Sequence, residues 1–438
     1  MTAIPFDRSN FHSLLADRNE RLIGNALFLG AFLLIWVTTT PFPDLSDPKL
    51  LEPVGDGNFL GQILAVLLTA SLAAFVFVKR LRVVLDALTP ILVLTFLWFA
   101  CSAAFSLHPG LASRRLVLAA FTIFQAAVFL LLPQNRDHFS RLLAVGAMIV
   151  LATCYAGIVF LPELSIHQAT DLAEPDLEGN WRGIFTHKNG AGAGMAVLIF
   201  VGIFVARTSS SVLGALIVAL AGLFLIFTES KSPIRLLPLV LVVSVLITWL
   251  RSPAAKVVLA ISLPVIIGFL TIGSVSFYSI QQFVHGLLSD PSFTGRDEIW
   301  RFALNHIAER PVLGFGFQAF WGTSDLVSNW SYLESWGYRA SDAHNGFLNI
   351  AVMTGIVGLV ISMIWVFAQP LIDHIRTPPD RIDHALNLLF IQIWLFGLCL
   401  SGFESDLFSG GSMLWFMMVV SIIGLRYQAT ARLVAENR

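Results

Sequence analysis

Twelve apolar runs punctuate this sequence, each close to the ~20 residues with which a helix crosses a hydrocarbon core of roughly 30 Å, and they restrict the fold more than any other feature. They lie near residues 22–39, 59–78, 88–106, 116–132, 142–161, 189–205, 212–227, 236–250, 257–278, 347–368, 385–402 and 412–425. The expected fold is all-α, a polytopic integral membrane protein of about 12 transmembrane helices. Composition agrees: 56% of the 438 residues are hydrophobic, 13% are charged, and the mean hydropathy is +0.78.

The same composition excludes some functions. A formal net charge of -1 offers no basic stripe for nucleic acid. Cys101, Cys154 and Cys399 fall in separate apolar runs, so they read as small core residues and suggest neither a disulfide framework nor a zinc cluster. The TTTPFPDL stretch after the first run lacks an A-x-A cleavage pattern, so that run is expected to stay as the first span. Neither a short-period repeat nor a low-complexity tract is visible.

Lysine and arginine resist translocation, so their placement predicts orientation. With the N-terminus in the cytoplasm, 16 of the 27 basic residues fall in short inside segments, among them Arg8, Arg18, Arg21, Lys79, Arg80, Arg82, Arg136, Arg207, Arg376, Arg426, Arg432 and Arg438. Residues 1–21 and 426–438 are therefore expected on the cytoplasmic side, flanking a membrane domain over 22–425. Arg114, Arg115, Arg182, Lys188, Lys231, Arg235 and Arg296 are then exceptions on the outer side, and an anionic ligand would explain them.

Two outer loops are longer than a tight turn requires, near 162–188 and 279–346. In the second, Thr294 precedes Asp297 and Glu298, a helix-start pattern, and Ile299, Phe302, Ala303 and Ile307 line one face of the succeeding turns. Pro311 ends the pattern. A short amphipathic helix on the outer surface is predicted there.

Three polar clusters share that side. Trp181-Arg182 leads through Thr186-His187-Lys188-Asn189 into GAGAGMAV, whose small residues suit close helix packing. Thr294-Gly295-Arg296-Asp297 sets an arginine at a helix start, where unpaired N–H groups favour phosphate. His344-Asn345 stands at the mouth of an apolar helix that carries Gly355 and Gly358. Each cluster also has a structural reading. Asn189 can cap its helix while Arg182 reaches lipid phosphate, Arg296 can pair with Asp297 or Glu298, and Asp342 and Asn345 can be caps with His344 simply at the interface. Glu229 with Lys231, and Glu404 with Asp406, form lesser clusters for which pairing with Lys231 or Arg235 is an adequate structural account.

Two arginines and a histidine on one outer face suit a pyrophosphate-bearing lipid. The arginines would hold the diphosphate and stabilise charge as it leaves, while a neutral imidazole, with an ordinary pKa near about 6.5, accepts the proton of an attacking hydroxyl. Neither a GxxxxGK[ST] loop nor a convincing GxGxxG on a strand is present, and no histidine and carboxylate spacing suggests a catalytic metal. The expected transfer is metal-independent and uses no cofactor.

In this order and on this side, the three clusters resemble the O-antigen ligase and Wzy-type polymerase superfamily of bacterial envelope glycosyltransferases. His344-Asn345, nine residues and then Gly355-Ile356-Val357-Gly358 match the family pattern H-[NSQ]-x9-G-x-x-G. TGRDEIW with PVLGFGFQAFW looks like the family's loop segment, and WRGIFTHKNGAG looks like its earlier arginine motif. The THKN form is closer to the exopolysaccharide polymerase branch.

The resemblance implies that Arg182 and Arg296 engage an undecaprenyl diphosphate, that His344 activates the acceptor hydroxyl, and that the anomeric carbon is inverted. Trp181, His187, Lys188, Asn189, Lys231 and Asn345 are the candidate substrate-binding residues around them. Lys231 stands where many members have arginine, and lysine keeps the charge without the bidentate fork. The implied activity is polymerisation of undecaprenyl-diphosphate-linked oligosaccharide repeats at the periplasmic face of a bacterial inner membrane. Membrane lipid, a flippase and a chain-length regulator are the expected partners. Ligation of glycan to lipid A core is the alternative with the same chemistry, and transport of an anion or a lipid-linked glycan is the alternative of another class.

Overall fold

A computed structural model describes residues 8–48, 59–77, 81–172, 174–287, 292–323, 326 and 340–430, with the backbone alone over 8–17. Lys79, Arg80, Arg432 and Arg438, the outer parts of segments 1–21 and 426–438, and the middle of the second long loop lie outside these residues.

Each apolar run becomes a helix. The first six helices are α1 (Arg8–Trp36), α2 (Phe59–Phe77), α3 (Leu81–Ala87), α4 (Pro90–Ala104), α5 (Pro109–Phe129) and α6 (Arg136–Phe160). The short α7 (Pro162–Ser165) leads into α8 (Lys188–Thr208), α9 (Ser211–Thr228), α10 (Lys231–Trp249), α11 (Pro253–Leu270), α12 (Ile272–Ser276) and α13 (Tyr278–Leu287). The surface helix α14 (Arg296–Glu309) precedes α15 (Gly346–Met363), α16 (Gln369–Arg376), α17 (His384–Leu400) and α18 (Met413–Thr430). The only β feature among the described residues is an isolated bridge between Ile166 and Trp181.

Among the described residues nine helices are long and apolar enough to cross a membrane, or ten if α3 and α4, bent by 70°, form one span. The remaining two runs fall in α1 and in α17, an apolar helix of 17 residues. Helix α3 was not expected, because it occupies a stretch that reads as a basic connection.

Helix boundaries follow local chemistry. The side chains of Asn135, Ser210 and Asp383 accept backbone N–H groups at the starts of α6, α9 and α17. The small residues at the start of α8 permit close approach: a Cβ on Gly192 would strike Ser230, and one on Gly194 would meet Phe185 and Met413. The interior of the bundle lies along α8, α17 and α18, where Phe200, Trp394, Phe396, Trp415 and Phe416 are sealed. By contrast, only 11% of the spanning window of α2 is buried, which leaves it a lipid-facing edge.

The predicted amphipathic helix is present as α14. Ile299, Trp300, Phe302, Ala303 and Ile307 pack against Phe320, Trp321, Leu348 and Val352, so the helix roofs the first turns of α15. Burying each large side chain where water is the alternative contributes roughly 1.5–3 kcal/mol. One detail differs from expectation. Gly295, with φ of 79°, occupies the cap position and makes no side-chain bond there, so Thr294 is not the cap.

The chain after α14 fixes that roof to the bundle. Phe315 and Gly316 donate backbone N–H bonds to the carbonyls of Val352 and Met353, at 3.0 and 2.9 Å, and Ile356 donates to Pro311 at 2.8 Å. At that level α15 is interrupted: Gly355 has φ of 75° and ψ of 175°. The Ser102 hydroxyl, on α4, reaches the carbonyls of both Leu313 and Met353, and Trp98 Nε1 donates to Thr354 at 2.9 Å. Carbonyls freed by the break are thereby satisfied within the bundle, as a lipid environment demands.

Candidate active site

Four stretches distant in sequence converge at one end of the bundle: the start of α8, the start of α14, the residues before α15 and the turn between α17 and α18. Their meeting point is Glu404. Its Oε1 accepts from Arg296 Nη2 at 3.0 Å and from Asn189 Nδ2 at 2.9 Å, and its Oε2 lies 3.4 Å from His344 Nδ1. Arg296 also donates through Nη1 to the Phe403 carbonyl. Ser230, between α9 and α10, donates to the Asn189 side-chain oxygen at 3.0 Å.

The local structural reading of Arg296 does not hold. Asp297 pairs with Arg301 instead, and Arg296 takes its ionic partner from 108 residues away. Nor does Glu404 pair with Lys231 or Arg235, the partners its position in sequence suggested.

His344 is held by its backbone. Asp342 Oδ1 accepts its N–H at 2.7 Å, and its φ of 44° lies in the left-handed region that a non-glycine residue rarely occupies. The next residue turns the chain into α15. Asn345 Oδ1 accepts from Phe347 N and Leu348 N, while its Nδ2 donates to Gly402 and its backbone N–H to Ser405 Oγ. Asn345 therefore joins the histidine to the turn that carries Glu404, in addition to capping the helix as the sequence suggested.

The charges reinforce one another. Burial alone would raise the Glu404 pKa, but the Arg296 charge and the His344 hydrogen bond outweigh it and bring it down to about 2. Burial alone would lower the His344 pKa, yet the Glu404 hydrogen bond and the Asp342 charge raise it above the ordinary histidine value. Asp406, which accepts from Ser412 at 2.6 Å, is pushed up to about 6 by burial, with smaller contributions from Glu404 and Asp342. With Nδ1 turned to Glu404, Nε2 is the ring nitrogen of His344 left free among the described residues.

The 162–188 loop folds beside this cluster. His187, not Asn189, caps α8: its Nδ1 accepts from Asn189 N at 3.0 Å, and its Nε2 lies 2.6 Å from Glu174 Oε2. His167, tied to Asp171 at 2.7 Å, accepts the Lys188 N–H at 3.2 Å. Lys188, half-buried, and the exposed Lys231 are neighbouring cations beside Glu229.

Arg182 and Trp181 stand apart. The Arg182 side chain is fully buried, donates to the carbonyls of Pro43 at 2.8 Å and Phe185 at 3.2 Å, and keeps an Nε with no partner among the described residues. It neither reaches lipid nor joins Arg296. Trp181 stacks on Phe227 with ring centroids 4.4 Å apart. Of the residues singled out by sequence, Arg296, His344, Asn345 and Asn189 are brought together, with His187, Lys188 and Lys231 nearby. The residue that sequence reading undervalued is Glu404, whose only signal was a carboxylate in the short turn between two apolar runs.

Comparison with known proteins relates part of this chain to one family. Residues 194–363 match the family described as O-antigen ligase, a stretch that contains Lys231, Arg296, His344 and Asn345 but neither Arg182 nor Glu404. An exopolysaccharide production protein, ExoQ, of Rhizobium meliloti is 26% identical over 158 residues, 34% of this chain and 36% of that protein. A Rickettsia conorii protein provisionally named a polysaccharide ligase is 32% identical over 85 residues, 18% of this chain and 20% of that protein. The matches thus span between a fifth and about a third of the relatives' lengths. The match over residues 194–363 is to the family that the motifs resembled, and one of the similar proteins is named for exopolysaccharide production.

Proposed function

We propose that this protein polymerises undecaprenyl-diphosphate-linked oligosaccharide repeats into exopolysaccharide at the periplasmic face of a bacterial inner membrane. The observation that carries the reading is the convergence of Arg296 and His344 on Glu404 at one end of a membrane bundle. An arginine for the diphosphate and a histidine with a free ring nitrogen are the two groups that such a transfer requires.

The reaction balances without a further reactant. A hydroxyl of the incoming repeat attacks the anomeric carbon of the growing glycan from the face opposite the diphosphate. The carbon–oxygen bond to the diphosphate breaks, and its electron pair stays on the leaving oxygen. The hydroxyl proton passes to His344 Nε2 and is later released to water. Arg296, with Lys188 and Lys231, offsets the charge that grows on the diphosphate, and inversion follows from the single displacement. Asn189 and Asn345 hold this machinery in place, and His187 caps the helix that presents Lys188. Because Arg182 is sealed among carbonyls, it enters as a positioning residue of the 162–188 loop, and Trp181 supports that loop.

A second reading has specific support in the ligase descriptions of the matching family and the rickettsial relative: transfer of the finished glycan to lipid A core. Purified protein given a lipid-linked repeat, with and without lipid A core, tests both readings. A ladder of lipid-linked polymer without core, lost in His344→Ala, is the expected result. Product only when core is present would make the protein a ligase. No covalent product under either condition would leave transport as the surviving reading.

A further inference from the structure

We infer that Glu404 is the resident counter-ion of the donor site: it holds the Arg296 guanidinium until a lipid diphosphate binds and takes that guanidinium over, and it then keeps His344 as its one ionisable partner. The inference rests on the proposed reading of Arg296 and His344 as diphosphate ligand and base.

The two oxygens of the carboxylate divide the work. Oε1 takes Arg296 and Asn189, and Oε2 faces His344. Arg296 can leave without freeing Glu404, because Asn189 remains on Oε1 and is itself held by Ser230. Arg296 makes its other bond to the adjacent Phe403 carbonyl, so in this arrangement its guanidinium is committed to the 403–404 turn. A diphosphate carries more negative charge than one carboxylate and matches the guanidinium fork in two-point contact, so it competes favourably for Arg296.

The exchange prepares the base. The charged groups around His344 are Arg296 from α14, Glu404 from the α17–α18 turn with Asp406 behind it, Asp342 on its own segment and Glu174 from the 162–188 loop. Of these only Arg296 disfavours the imidazolium. When a bound diphosphate neutralises Arg296, Glu404 and Asp342 act on His344 without that opposition, and the ring becomes a stronger base only with donor in place. A carboxylate on Nδ1 also fixes the tautomer that leaves a lone pair on Nε2.

This arrangement makes an unusual demand of a variant: binding and turnover should move in opposite directions. The full chain in detergent or nanodiscs would be titrated with undecaprenyl diphosphate and assayed for polymer formation, as wild type, Glu404→Gln and Glu404→Asp. Glu404→Gln removes the competitor for Arg296, so it should bind undecaprenyl diphosphate several-fold more tightly. Its turnover should fall by about 10² to 10⁴, the contribution of a well-placed general base, and the alkaline-rising limb of its pH profile should move to lower pH. Glu404→Asp, drawn back from Arg296 by one methylene but still charged, should show the same changes at smaller size. Weaker or unchanged binding in a folded variant, or turnover and pH profile left as in wild type, would overturn the counter-ion role while leaving the polymerase reading intact. Failure of the wild type to bind undecaprenyl diphosphate would instead remove the reading beneath it.

Discussion

Gly355 and the Val312 carbonyl are packed so closely that no side chain fits between them. The contact is the joint between the loop that follows α14 and the break in α15, so it sets the distance from the helix bearing Arg296 to the segment bearing His344. The second glycine of the H-N-x9-G-x-x-G pattern is also crowded: a Cβ on Gly358 would strike Thr354 and approach Trp98.

Gly355→Ala should therefore be costly twice, through its φ of 75° and through displacement of the 311–316 segment. A loss of about 2 kcal/mol or more is expected, seen as a lower unfolding midpoint in detergent, together with loss of polymer formation. A variant with wild-type midpoint and wild-type rate would show that the joint does not hold the site together.

Arg182 and Arg296 should separate under substitution. Arg182→Ala leaves two part-buried carbonyls without a donor and a void where a fully buried side chain stood, a loss of about 3 kcal/mol or more, and the unfolding midpoint should drop sharply. Arg296→Ala should cut turnover by about 10² or more with the smaller effect on the midpoint. Measuring midpoint and rate for both variants decides the matter: equal destabilisation would put the two arginines in the same structural class.

Asn345→Ala removes the cap of α15 and the bond to Gly402 at once. Loss of the cap alone amounts to about 1–2 kcal/mol. Because the same side chain ties His344 to the Glu404 turn, the rate should fall more than the midpoint predicts. Asn345→Asp retains the acceptor but not the donor to Gly402, so it should restore stability in part and rate less.

The pH dependence follows from the direction of the His344 shift. Burial opposes the charged ring, but the Glu404 hydrogen bond and the Asp342 charge prevail, so its folded pKa lies above the ordinary value. A base of the proposed mechanism must be neutral, hence with His344 in that role kcat/KM should rise with pH and reach its half-point above about 6.5. Stability runs the other way: the contribution of His344 is complete below its unfolded pKa and is lost as pH rises through the folded one. Rate profiles and unfolding midpoints between about pH 5 and pH 9 would test both signs, and a half-point below the ordinary histidine value would contradict the geometry.

The features legible in the chain alone are those that local chemistry governs. Runs of about twenty apolar residues have one stable form in lipid, so the helices, and with them the membrane class, could be read at once. So could α14, because Ile299, Phe302, Ala303 and Ile307 recur at helical spacing, and so could the candidates Arg296 and His344, which stand at helix starts where polar side chains serve an end or a ligand. Partnership was not legible. Whether Arg296 pairs with Asp297 one residue away or with Glu404 across the bundle depends on how α14 docks on α15, a matter of packing that no local pattern encodes. The same holds for Arg182, whose motif resembles a ligand's but whose side chain is sealed by the Pro43 and Phe185 carbonyls. Sequence determined which residues could carry charge to this end of the membrane. Only the tertiary structure decided which charges meet, because a carboxylate becomes a shared partner when helices distant in sequence bring an arginine, an amide and an imidazole to its two oxygens.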